Sequence, residues 1–251
     1  MRVLYQTADH DYPANSHILN ALIGFETLGY DSIGFKFSEL KAGLIDLQPD
    51  DLLLGGVEAV YLAFAQMGIS KPSPVDYPPE LAWALRRNIV QSTIKHVHSL
   101  PMVNDKLLDP VFIKPVEHKL FRGHVVSEYK DLILTSGYLL QAPETPIWVS
   151  EVREFVCEYR LFFHHGKCVS ACHYYGDASR MRISRSFITH VEETYGDKLT
   201  AYCLDVGVDE FSDLHLVEVN DALAFGAYGL PPKLHAQMIL DRWNQLKENP
   251  C

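Results

Sequence analysis

Residues 1 to 7 alternate between apolar and polar positions, which predicts a strand, and a turn-like DHDYPAN follows. From Ser16 to Leu28 the period changes, with Ile18, Leu22 and Phe25 on one helical face and Gly29 positioned as a stop. Ile33, Phe35 and Phe37 alternate as a second strand, Leu52 to Leu54 form a short third one, and Val57 to Met67 reads as a helix ended by Gly68. Together these elements predict a small βαβ-type unit. The stretch KPSPVDYPPE, residues 71 to 80, concentrates four prolines and reads as a linker, followed by a helix from about Leu81 to His98.

Beyond Val111 the pattern is dominated by strands: VFIKP, GHVVS, LILTS and PIWVSEV. Glu158 to Phe163, the turn HHGK and Val169 to Tyr175 predict a hairpin, with Gly166 suited to positive φ. Ser184 to Tyr195 is helical and stopped by Gly196. Leu199 to Val208 and Leu214 to Val219 read as strands joined by the acidic turn DEFSD, and Lys233 to Lys247 as a closing helix. A small α/β unit followed by an antiparallel-rich unit gives an α+β class with two lobes.

Composition narrows the partners. The 251 residues are 47% hydrophobic, enough for a real core. The chain carries 22 Lys+Arg against 32 Asp+Glu, a net charge of -10, which opposes a broad footprint on nucleic acid or anionic lipid. No apolar run reaches the ~20 residues that span a bilayer, and MRVLYQTADHD reads as a strand followed by acids rather than as a signal peptide. Five irregularly spaced cysteines read as reduced thiols, consistent with a cytoplasmic protein.

Candidate chemistry begins with LDVGV and LVEVND. If these strands are antiparallel neighbours, Asp205, Glu218 and Asn220 can point to one face, since Glu218 and Asn220 are two apart on one strand. Hard oxygen ligands suit Mg2+, and a metal would offset the cost of burying acids in apolar strands. The alternative pairs Asp205 with a nearby arginine and leaves Glu218 solvated. Lys114 lies in the apolar strand VFIKP, where a lysine either snorkels to the surface or faces an anion. Glu151 ends an apolar strand, and Glu158 and Arg160 stand two apart on the next, a spacing equally compatible with a cross-strand ion pair.

In their order, these motifs resemble the ATP-grasp superfamily over most of residues 90 to 230. The strand ending in Lys-Pro matches VFIKP, which implies that Lys114 contacts the α and β phosphates of ATP. IWVSEV resembles the interdomain hinge, so that Glu151 would accept from the adenine amino group, with backbone around Val152 completing the base contact. Glu158 matches the acid that holds the ribose hydroxyls. EYRLFF resembles the run of ribosomal-protein glutamate ligases that would put Arg160 near the terminal or acyl phosphate. The family's Asp, then Glu-x-Asn, is matched by Asp205, Glu218 and Asn220, which would hold two Mg2+ ions.

The resemblance implies an ATP-grasp fold over residues 76–251, its nucleotide cleft between residues 90–150 and 151–251, preceded by a small Rossmann-like pre-ATP-grasp domain over residues 1–75. It implies an ADP-forming ligase that joins a small-molecule or peptide carboxylate to an amine through an acyl phosphate. A kinase acting on a small acceptor and a non-catalytic nucleotide-binding protein remain the alternatives. Two features depart from the family. The segment PVEHKLFRGHVVSEY has Gly123 as its only glycine where many members carry a Gly- and Ser-rich lid, leaving Lys119 and Arg122 as substitutes or as a solvated basic loop. Cys203 stands where D-alanine:D-alanine ligase has an arginine.

For the acceptor, YYGDASRMRISRS offers Arg180 and Arg182 as carboxylate contacts, or as surface residues paired with Glu192 and Glu193. Gly226 and Gly229 are open to a role either in backbone approach to the acyl phosphate or in a turn. Cys168 and Cys172 are too far apart along a strand, about 13 Å, to share a zinc ion, and His164 and His165 read as solvated turn residues.

Overall fold

The computed structural model describes residues 1–8, 12–117 and 120–248. Residues 9–11 of the expected first turn, and Lys119 of the expected lid, lie outside the described residues. The chain forms two compact units, one of Met1–Ala82 with Val156–Cys251 and the other of Trp83–Phe155.

The first unit opens with β1 (Val3–Thr7), α1 (Ser16–Thr27), β2 (Ser32–Lys36), α2 (Phe37–Lys41), β3 (Leu52–Leu54) and α3 (Val57–Met67). Its three strands are parallel in the order β2-β1-β3. Asn15 starts α1 by accepting from the backbone N–H groups of His17 and Ile18 at 2.9 and 3.0 Å. Gly68 closes α3 in the left-handed region, with φ of 70°. Phe37, expected in the second strand, instead opens α2, because the Glu39 carboxylate accepts from the Lys36 N–H at 2.8 Å and starts a helical turn.

The expected helix from Leu81 to His98 does not form. A short α4 (Ala82–Leu85) ends at Arg86, which has φ of +49°. Residues IVQST then form β4 (Ile89–Thr93), and a new helix α5 (Ile94–His98) starts where the Thr93 hydroxyl accepts from His96 N–H. The remainder of the second unit is β5 (Met102–Val103), β6 (Lys106–Pro115), β7 (His124–Glu128), α6 (Ser136–Gln141) and β8 (Pro146–Glu151). Its antiparallel sheet has the order β4-β8-β6-β5, with β7 also paired to β6. Ladder bonding to β8 is what makes β4 a strand, and that partner is remote in sequence. The expected strand LILTS is helical instead: Asp131 accepts from the N–H groups of Ser127 and Glu128, both at 2.9 Å, and initiates a 3-10 helix over Tyr129–Thr135. Ile94, Val97, Ile113, Val126 and Ile147 form this unit's core.

The chain then completes the first unit with β9 (Cys157–His164), β10 (Lys167–Gly176), α7 (Arg185–Tyr195), β11 (Ala201–Val208), β12 (Leu214–Asp221) and α8 (Pro232–Glu248). The order β10-β9-β11-β12 is antiparallel throughout. The expected β9–β10 hairpin turns at His165 and Gly166, with φ of 47° and 74°. A shared core joins Leu4, Phe25 and Phe64 to Phe162, Cys203 and Trp243, so the parallel strands and one face of the antiparallel sheet are buried together. The proline-rich segment follows the edge of β12, where Asp76 O accepts from Val219 N–H at 3.0 Å. Among the described residues no helix is long and apolar enough to cross a membrane.

Candidate active site

Strand register assembles the site. Asp205 in β11 lies directly opposite Arg160 in β9 on one side and Glu218 in β12 on the other. Cross-strand partners share a face, so these three side chains form one row, and Phe162, Cys203 and Asn220 form the next. A register shift between Asp205 and Val206 interrupts the β11–β12 ladder beside the acids. Arg160 clasps Asp205 bidentately, Nε to Oδ1 at 2.7 Å and Nη2 to Oδ2 at 2.6 Å. The Asn220 amide donates to Asp205 Oδ2 at 3.1 Å and to Glu218 Oε1 at 3.2 Å. The structure therefore brings together the three expected metal ligands and also makes the Arg–Asp pair that was the alternative reading.

Arg160 and Asp205 are 6% and 5% exposed. Burial raises the Asp205 pKa above its ordinary value, with Glu218 adding to that effect and Arg160 and Asn220 opposing it. Burial likewise raises Glu158, with Asp205 and Glu218 contributing, although Glu158 accepts a 2.9 Å hydrogen bond from the Tyr174 hydroxyl. The carboxylates of Glu158, Asp205 and Glu218 lie near one another beside Arg160 and the Asn220 amide, an oxygen-rich donor set that a hard divalent cation such as Mg2+ fits.

Two residues the sequence did not single out complete the surroundings. The Tyr228 ring lies 4.7 Å from Arg160 Cζ, stacked for a cation–π contact, and 5.0 Å from the Tyr174 ring. His17, in the first turn of α1, sits with its ring 5.3 Å from Tyr228. Its Nδ1 accepts from Ala227 N–H at 3.1 Å, which assigns the proton to Nε2. Burial lowers the His17 pKa, and Arg160 lowers it further, both favouring the neutral imidazole. Gly226 is required by close packing: a Cβ there would lie 2.7 Å from the Tyr228 ring and 3.2 Å from His17. Its carbonyl accepts from Arg160 Nη1 at 3.4 Å. Gly229 adopts φ of +101°. The glycines of AFGAYGL were the available signal for this loop, whereas His17 carried none.

The other expected residues lie on other elements of the two units. In the second unit, Lys114, Trp148 and Gln91 form a row across β6, β8 and β4, while Ile113 and Val149 pair on the face bearing the core. Gly123 serves strand packing, since a Cβ there would lie 2.7 Å from the Phe112 ring and 3.1 Å from Lys114 Cβ. The Glu151 carboxylate accepts from Asn88 at 2.7 Å and Arg153 at 2.8 Å, and Val152 follows directly after β8. In the first unit, Arg180 donates to Glu210 O at 2.9 Å, and Arg182 bonds carbonyls of its own loop, so neither bonds the acid cluster. Glu192 is bonded instead by Lys167 and the Cys168 N–H. The turn histidines His164 and His165, expected to be solvated, both bond Asp241.

Residues 85–238 match the family model described as ATP-grasp domain, R2K clade family 2. The chain belongs to this ATP-grasp family. No functionally curated protein matches it. Among solved structures, this ATP-grasp chain is similar in fold to D-cycloserine synthetase DcsG, at 12% identity and a TM-score of 0.61, covering 98% of this chain and 100% of that one. A RimK domain ATP-grasp protein from Sphaerobacter thermophilus has 14% identity and a TM-score of 0.56 over 96% and 98% of the two chains. The D-alanine–D-alanine ligase of Bacillus anthracis has 12% identity and a TM-score of 0.53 over 98% and 97%.

Proposed function

We propose that this ATP-grasp chain is a carboxylate–amine ligase that converts ATP to ADP and phosphate while forming an amide or peptide bond. The observation that carries the reading is the row of Arg160, Asp205 and Glu218 with Asn220 beside it, an oxygen-rich site. Asp205, Glu218 and Asn220 would hold Mg2+, two ions in all. When bound, Mg2+ neutralises charge on the phosphate oxygens.

The protein's own residues bind and orient. Lys114 meets the α and β phosphates, Glu151 and the backbone at Val152 take the adenine, and Glu158 takes the ribose hydroxyls. The guanidinium of Arg160, fixed by Asp205 and backed by Tyr228, stands ready for charge on the terminal or acyl phosphate without rearranging. Arg180 and Arg182 serve a carboxylate-bearing acceptor. Residues 1–75 are read as a pre-ATP-grasp domain that helps select the substrate, and the setting as cytoplasmic.

In the reaction, a substrate carboxylate oxygen attacks the γ phosphorus and the bond to the ADP oxygen breaks. An amine then attacks the acyl carbon, loses a proton and expels phosphate. No side chain becomes covalently attached, so positioning and charge supply the catalysis. The test is a screen of amino acids and short peptides for ADP release, with mass spectrometry of the product. ADP and phosphate that form only when acid and amine are both present support the ligase. AMP and pyrophosphate overturn it.

One observation favours a second reading. Gly123, the lone glycine of the lid segment, packs against Phe112 and Lys114 of β6, which favours a packing role for it over approach to phosphate. A kinase would leave a stable phosphorylated acceptor after ATP is consumed. A binding protein would take up Mg-ATP in calorimetry with no turnover for Glu218→Gln to remove.

A further inference from the structure

Three side chains outside the nucleotide site converge where the β9–β10 turn meets α8. His164 ends β9, and His165 follows in the left-handed region with φ of 47°. Successive residues of an extended strand point to opposite faces, but the turn at His165 abandons that alternation. The two rings come to lie with centroids 4.3 Å apart. Their Nε2 atoms reach one and the same oxygen, Asp241 Oδ2, at 2.7 and 2.9 Å. Asp241 lies on α8 next to Arg242, which is tied to Asp221 at the end of β12 by bonds of 2.7 to 3.1 Å.

Without a metal, both imidazoles donate an Nε2–H to this one carboxylate oxygen. A single cation in place of those two protons turns the two nitrogen lone pairs and the carboxylate into ligands. The ligand atoms all lie within 4.8 Å of one another. Metal–ligand bonds of about 2.0–2.2 Å in a tetrahedron require separations of roughly 3.3–3.5 Å, so the two N···O contacts would widen by about half an ångström or slightly more while the two nitrogens settle at that same spacing through side-chain rotation. Asp241 is 33% and His165 63% exposed at the side chain, leaving a path for the ion and room for water as a fourth ligand. Asp197 adjoins the turn at Gly166, adding negative potential. Imidazole nitrogens select zinc-like metals over Mg2+, which separates this position chemically from the all-oxygen site at Asp205 and Glu218.

We propose that His164, His165 and Asp241 bind a divalent metal ion of the zinc class and thereby clamp the β9–β10 turn to α8. The full chain, stripped of metal and held in excess Mg2+, is titrated with Zn2+ by calorimetry, and Co2+ replaces Zn2+ for absorption spectra. The expected result is one saturable Zn2+ equivalent, a higher Tm on binding, and a four-coordinate Co2+ spectrum. Asp241→Asn and the double variant His164→Ala, His165→Ala should each weaken Zn2+ by at least about tenfold. His165→Asn, at an exposed position whose positive φ asparagine tolerates, should do the same with the metal-free Tm unchanged. Glu218→Gln should leave the equivalent in place. Absence of saturable binding overturns the proposal, as does an equivalent that survives in the histidine variants or disappears in Glu218→Gln.

Discussion

Arg160 and Asp205 are joined across β9 and β11 by two hydrogen bonds of 2.7 and 2.6 Å, and Glu218 faces Asp205 from its other side. Asp205 thus has a structural partner and a chemical one. This double role separates the effects of replacing the two acids.

Glu218→Gln should lower ATP turnover by about 10²-fold or more, the scale of losing one preorganised electrostatic contact, and should lower Tm less than a change at Asp205 does. Asp205→Asn should lose activity and also stability, because it leaves the buried guanidinium of Arg160 without its charge partner, at a cost of about 3–5 kcal/mol. Thermal melts beside ADP-release assays distinguish the two. Equal Tm losses in both variants would contradict the assignment.

Lys114→Met should weaken ATP binding by about 1.5–3 kcal/mol, roughly tenfold to a hundredfold in Kd, as expected for losing a charged hydrogen bond to phosphate. Lys114 is half-buried on the sheet face away from the core, so the far-ultraviolet spectrum should be unaltered. Calorimetry with a non-hydrolysable ATP analogue measures the change.

Gly24→Ala in α1 should destabilise the chain, although alanine is the better helix former by about 1 kcal/mol. A Cβ at Gly24 would lie 2.0 Å from Pro232 O and 2.8 Å from Ala236 Cβ, so α1 and α8 would have to separate. Overpacking of this kind costs about 1–3 kcal/mol and outweighs the propensity gain. A Tm above that of the parent would refute the close approach.

His235, 1% exposed, has its pKa lowered to about 4 by burial, aided by His17. Its Nδ1 bonds Asn20 Oδ1 at 2.9 Å. The folded state disfavours the charged form, so this contribution to stability is fully present above the unfolded pKa of 6.5 and is lost as pH falls from there toward about 4. The full loss is on the order of 3 kcal/mol. Denaturant melts at stepped pH should show it, and His235→Gln should flatten the profile across that window.

Much of the architecture was legible because periodicity and turn chemistry are local. The β9–β10 and β11–β12 hairpins, α1, α3, α7 and α8 follow from apolar spacing and from Gly29, Gly68 and Gly166. The helix expected over Leu81 to His98 failed because β4 is made a strand by β8, more than fifty residues downstream. LILTS failed for a nearer reason: Asp131 captured the N–H groups that begin a 3-10 helix.

The sequence by itself determined that Glu218 and Asn220 share a face, since side chains alternate along any extended strand, and Asp205 could join them only if its strand paired beside theirs. Only tertiary structure decided that Arg160 is the cation clasping Asp205, because cross-strand register depends on how β9 and β11 pair. Packing likewise brought His17 to Ala227, 210 positions away, and Asp241 to His164, 77 positions away. Such contacts arise from burying α1 and α8 with the sheet in a common core, and no local pattern in the chain encodes them.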